Sequence, residues 1–169
     1  MIEDDVLTGS DSKTDMSLTV NVAIDGTFDG SNVTVSSISY SQGNSYPAST
    51  DVVGADGTID LRKMDKSSKH NTDVVHITFA VSGTIAGPDG EMTITFPTSA
   101  NEAVTINGNN LPTGEFTAVA GADSTQIVLT DADVDKESNI YCLQPLAWSN
   151  GVPYDVPVDP PIIDRGKVG

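Results

Sequence analysis

The sequence predicts an all-β fold: an antiparallel two-sheet β-sandwich, immunoglobulin-like or jelly-roll-like, with extended N- and C-terminal arms. Three observations predict it. About nine short segments alternate apolar and polar residues with period two. Turns bearing glycine, proline or Asp-Gly pairs separate them at close spacing. No stretch carries an apolar repeat of helical period. An open single sheet would leave one apolar face in water, so two packed sheets are expected. The length of 169 residues fits one domain, and a 37% apolar content with 5% aromatics supplies one small core.

The segments follow in order. Residues 1–15 hold five acids (Glu3, Asp4, Asp5, Asp11, Asp15) and little to bury, which reads as a flexible acidic arm. From Met16 onward Leu18, Val20, Val22 and Ile24 alternate with Ser17, Thr19, Asn21 and Ala23, the mark of a half-buried strand. Asp25-Gly26 and Asp29-Gly30 punctuate a turn. Val33 and Val35 open a second strand, but Ile38 and Tyr40 continue it in the opposite phase, a slip that a β-bulge produces. Residues 41–57 carry Gly43, Pro47, Gly54 and Asp56-Gly57 and read as a long loop. Ile59 and Leu61 mark a short strand. Val75, Ile77, Phe79, Val81 and Ile85 share a phase, Gly87-Pro88-Asp89-Gly90 turns the chain, and Met92, Ile94 and Phe96 return it as a β-hairpin. Shorter strands are expected at residues 104–106, 116–119, 127–129 and 140–143, completing a domain of residues 16–144.

Composition changes after Gln144. Five of the nine prolines (Pro145, Pro153, Pro157, Pro160, Pro161) fall in residues 145–169, a spacing that argues against a helix or a central strand. This proline-rich arm is expected to be extended, with Leu146, Trp148, Val152, Tyr154, Val156, Val158, Ile162 and Ile163 along it. Two readings stand side by side: the arm docks on a neighbouring subunit, or it folds over its own domain. In the first, deleting the arm leaves a folded domain that no longer assembles.

The charge narrows function. Twenty-four acids against eight bases give a net charge of −16, which repels phosphate and argues against nucleic-acid and anionic-membrane partners. Arg62, Lys63, Lys66 and Lys69, half of all the bases, fall in one short window after Leu61. That local reversal of sign suits contact with an acidic partner or another copy of the chain; the alternative is neutralisation of Asp60, Asp65 and Asp73. The start, Met1-Ile-Glu-Asp-Asp, has neither a basic nor an apolar signal region, and no apolar run has the length of a membrane span. These features suit a product made in the cytoplasm without export.

Catalytic motifs are not visible. One cysteine (Cys142) and two histidines (His70, His76) do not make a zinc pattern, and both histidines are expected at the surface. There is no nucleophile elbow, phosphate-binding glycine loop or His-Glu-x-x-His. Asp131, Asp133 and Asp135 alternate ahead of Glu137 and form the candidate calcium site, since carboxylates so spaced can converge on a hard cation. The run departs from an EF-hand loop, with Lys136 at the sixth position and Cys142 at the twelfth. A solvated acidic loop is the alternative.

In its size, its β pattern over residues 17–143 and its flexible segments at 1–15 and 145–169, the chain resembles the decoration (cement) and other auxiliary capsid proteins of tailed bacteriophages. The resemblance is architectural. It implies a non-enzymatic structural protein on the virion exterior, bound to a capsid or other virion protein and assembled as a homo-oligomer with a trimer favoured; apart from the candidate calcium, no cofactor is expected. The other reading is a calcium- or glycan-binding, immunoglobulin-like adhesion module of a bacterial surface protein.

Overall fold

The computed structural model describes residues 14–64, 71–132, 138–158 and 162–164. Among these there are twelve strands, two short 3-10 turns and no α-helix. The strands are β1 (Thr14–Phe28), β2 (Val33–Tyr46), β3 (Ile59–Asp60), β4 (Asn71–Gly87), β5 (Gly90–Thr95), β6 (Val104–Ile106), β7 (Phe116–Ala120), β8 (Gln126–Asp131), β9 (Asn139–Leu143), β10 (Leu146–Ser149), β11 (Val152–Asp155) and β12 (Ile162–Asp164). One sheet has the order β11-β10-β5-β4-β1-β2, with β8 also on β4 and β7 on β8. A second has the order β3-β12-β9-β6.

The long central pair β1 and β4 organises the larger sheet. Met16, Leu18, Val20, Val22 and Ile24 are all buried, while Ser17, Asn21 and Asp25 are exposed, so the predicted alternation maps onto a core face and a wet face. β1 pairs antiparallel with β2 but parallel with β4, from Thr14 beside Asn71 to Thr27 beside Ala86. β12 and β3 are also parallel. The antiparallel expectation is therefore corrected: the sheets are mixed. Periodicity fixes which residues face the core, whereas pairing direction depends on where the connection returns. The stretch from Phe28 to Asn71 is long enough for a crossover.

The phase slip in β2 is a bulge. Asp25 pairs with Ser37 and Gly26 with Val35, leaving Ser36 as the extra residue, whose Oγ donates to the Asp25 carbonyl at 3.0 Å. A second slip lies where Leu18 pairs with Ser45 but Val20 with Gln42. β2 thus continues to Tyr46, and the loop expected from residue 41 begins later. The glycine and polar residues there are absorbed as an irregularity of the ladder and do not end it.

β4 has two neighbours end to end on its other side. Residues 75–80 pair with β8, and residues 85–87 pair with β5 around the predicted hairpin turn. Between them the Val81 N–H donates to the Thr125 carbonyl (2.9 Å) and the Phe96 N–H to the Ser124 carbonyl (2.8 Å), closing the gap with the β7–β8 loop. Gly83 lies between the buried Val81 and Ile85 and is itself exposed. Its φ is +123°, and a Cβ there would collide with the Ile24 carbonyl oxygen. Phe79 of β4 packs on Tyr141 of β9 with ring centroids 5.1 Å apart, joining the two sheets. The buried Tyr141 hydroxyl donates to the Gly57 carbonyl at 2.6 Å, and burial raises its pKa well above the ordinary value.

The chain after Gln144 extends the larger sheet. β10 lies between β5 and β11, and Asn150-Gly151, both at positive φ (52° and 77°), make the tight turn of the β10–β11 hairpin. The expectation that this segment holds no internal strand is corrected for residues 146–149. Its prolines flank the strand: Pro145 precedes it, and Pro153 sits on the edge strand β11, where a missing donor costs least.

Candidate interaction surface

The basic window is placed only in part. Leu61–Lys63 form a 3-10 turn directly after β3, which brings Arg62 back over Asp60. The guanidinium meets that carboxylate through two bonds, Nε to Oδ1 at 2.8 Å and Nη2 to Oδ2 at 2.9 Å, and the Arg62 N–H donates to the same Oδ1. Chiefly through this side-chain bond, Asp60 titrates below the usual carboxylate value. The Arg62 charge is therefore matched locally. Lys63 is exposed, and Lys66 and Lys69 lie outside the described residues.

The acidic candidates behave similarly. Asp131 is buried at the end of β8, its backbone set between Val75 of β4 and Phe116 of β7. Asp133 and Asp135 lie outside the described residues, and no group of three His, Cys, Asp or Glu side chains gathers among those described. His76 is half-buried. Its Nε2 meets Asp15 Oδ2 and its Nδ1 meets Thr130 Oγ1, each at 2.8 Å, so it ties β1, β4 and β8 together on one face. His70 lies outside the described residues.

The apolar residues of the C-terminal segment mostly face their own molecule. Val156 is buried, Val158 packs at the core margin, and the Tyr154 ring packs tilted against Phe28 with centroids 4.4 Å apart. Trp148 Nε1 donates to Thr95 Oγ1 at 2.8 Å across the β10–β5 pair. Val152 is half-exposed on β11. The backbones of Ile162 and Ile163 pair with β9, and that of Ile163 also pairs with Ile59 of β3.

What remains open is a sheet edge. β2 ends the larger sheet, and among the described residues no strand pairs with its far side. Residues 30–50, which contain all of β2, include no charged residue. At the chain's own 19% charged content, 21 residues would hold about four. Ser37, Ser39 and Ser41 are exposed on one face, and on the other Ile38 is half-buried and Tyr40 buried. A groove of about 590 Å³ follows the strand, lined by Val33, Val35, Ile38 and Pro157 among others. Natural edges are usually guarded by lysine, proline or short length; this one is 14 residues long with two bulges, and among the described residues the segment after it is tied to its last residues, Gln42 bonding to Ser49, Val52 and Val53 and Ser45 to Ser49. The other edges are shorter, at five residues for β7 and four for β11, the latter carrying Pro153 and Asp155. This edge carries no charged residue by which the sequence could mark it. The signal is that absence. The chain matches no protein-family model and no curated protein.

Proposed function

We propose that the chain is a non-enzymatic structural subunit of a larger assembly, most specifically a decoration protein on the exterior of a virion, with its two sheets packed as a β-sandwich. The observation that carries this reading is the long, uncharged edge of β2, on whose far side no described strand pairs, on a chain of charge −16. An acidic surface keeps such a protein soluble and repels unspecific contacts. An edge without charge is a place where another strand can add through main-chain hydrogen bonds with no charged side chain to desolvate. The Phe79–Tyr141 contact between the sheets supports the sandwich, since it places core residues of both on a common interior. The C-terminal segment packs on its own domain as far as Val158, which favours the edge over these residues as the docking element.

The test is to purify virus particles from lysed host cells on a density gradient and identify their proteins by mass spectrometry. Recovery of this chain in fixed ratio to the capsid subunit is the expected result. Its confinement to the soluble fraction would refute the virion role.

A further inference from the structure

We infer that β2 pairs with β2 of a second copy, antiparallel about a two-fold axis through Ser39. This rests on the reading of the chain as an assembly subunit and names what occupies the open edge. Between its two bulges β2 is regular: residues 37–42 pair with residues 25–20 of β1 without a slip, so this stretch presents an undistorted edge. Its sequence is Ser37-Ile38-Ser39-Tyr40-Ser41, which reads nearly the same in both directions.

Opposed residues of an antiparallel pair lie on the same face of the sheet. With Ser39 facing its counterpart, Ile38 of each copy lies opposite Tyr40 of the other on the core side, and Ser37 lies opposite Ser41 on the outer side. Each match is apolar with apolar or hydroxyl with hydroxyl, the kind of cross-strand pair that supports a sheet. A shift of one residue would set Ile38 opposite a serine, and a shift of two would set Tyr40 opposite Ser36 or Ile38 opposite Gln42, so the pattern favours this register. Two bodies of charge −16 can approach along this strip because it brings no carboxylate onto the axis. The half-buried Val35 and Ile38 at the core margin gain cover from the added strand. Such a contact is isologous and closes at two copies, in place of the trimer that the resemblance implies.

Sedimentation velocity of the full chain at high micromolar concentration is the first measurement. A species of twice 17.6 kDa is expected. Ser39→Lys sets two like charges on the axis and should raise the dimer Kd by roughly tenfold or more, with unchanged far-UV circular dichroism because Ser39 is exposed. Ser39→Cys in a Cys142→Ala background should cross-link under mild oxidation, since residues opposed in an antiparallel pair have Cα atoms about 4.5–5.5 Å apart, within disulfide range. A single-copy mass at every concentration overturns the inference. So does a dimer that ignores Ser39→Lys and gives no cross-linked Ser39→Cys product. If the chain sediments as one copy yet is found on purified particles, the self-pairing alone fails. If it is missing from the particles, the virion reading fails, whatever the dimer does.

Discussion

Ending the chain at Gln144 should unfold it. The truncation removes β10, β11 and β12. β10 is hydrogen-bonded on both sides, to β5 and β11, and β12 is the strand between β3 and β9. Val156 and Ala147 are buried, and the Tyr154 ring covers Phe28. A fully buried side chain of this size contributes about 1.5–3 kcal/mol relative to exposure. Losing Val156, the partly buried Tyr154 and Trp148, and the cover over Ile94 and Phe28 sums to roughly 5–10 kcal/mol as an upper estimate. Total stability of a domain this size is about 5–15 kcal/mol. The loss is of the same order as the whole. Urea unfolding followed by far-UV circular dichroism should therefore show a cooperative transition for the full chain and none for the truncated one. The reasoning is refuted if the shortened protein unfolds cooperatively with a midpoint within about 0.5 M of the parent, a difference near 1 kcal/mol at ordinary urea slopes. The segment would then be the accessory arm that its proline content suggests.

Two further outcomes follow from single residues. Gly83→Ala forces a Cβ into the Ile24 carbonyl at a positive φ, so β1 and β4 must part; at least about 3 kcal/mol should be lost, lowering Tm by roughly 6–12 °C in a thermal melt. A melt within two degrees of wild type would show that the pair can shift freely. Arg62→Ala tests the Asp60 bond. Asp60 titrates below its ordinary value of 3.8, so folding favours the ionised form. That contribution is complete above about pH 4 and fades as the pH falls through the lower folded-state value. The variant should lose under about 1 kcal/mol at neutral pH, because the pair is partly solvated, and the difference from wild type should shrink as the pH falls through the lowered folded-state value. An Asp60 titration by NMR that stays put on removing Arg62 would contradict this account.

The parts of the fold legible in the sequence are those fixed by local periodicity. The face of β1 was readable because Leu18 to Ile24 alternate without interruption, and the β4–β5 hairpin because Gly87 to Gly90 interrupts two runs in matching phase. Even the bulge at Ser36 was readable, since Val35 and Ile38 cannot both face the core on a regular strand. The parallel β1–β4 pair was not, because direction is set by a crossover and not by either strand. The C-terminal segment misled for a related reason. Proline excludes the position it occupies, not its neighbours, and Leu146–Ser149 is free of it. Of the partner candidates, Arg62 was drawn by its charge and proved to have its own acid two residues away. Trp148 and Tyr154 were drawn by their apolar rings, which meet Thr95 and Phe28 of the same molecule. The open edge of β2 left only a negative signature, because edge position is a property of the sheet order and serine-rich strands look like loops.

The sign of the salt dependence separates the occupants of that edge. Two copies at −16 repel one another over the range of the Debye length, about 8 Å at physiological ionic strength and about 3 Å at 1 M. The paired strands themselves carry no ions to lose. Added salt therefore screens the repulsion and leaves the hydrogen bonds and apolar contacts untouched, so the dimer Kd should fall several-fold between roughly 0.05 M and 0.5 M sodium chloride. Docking of the acidic surface on a basic partner responds the other way, because its attraction is what salt weakens. Sedimentation equilibrium of the isolated chain across that range measures the slope directly. A Kd that rises with salt would mean that opposite charges hold the copies together. The contact would then lie elsewhere than on a strand that has none.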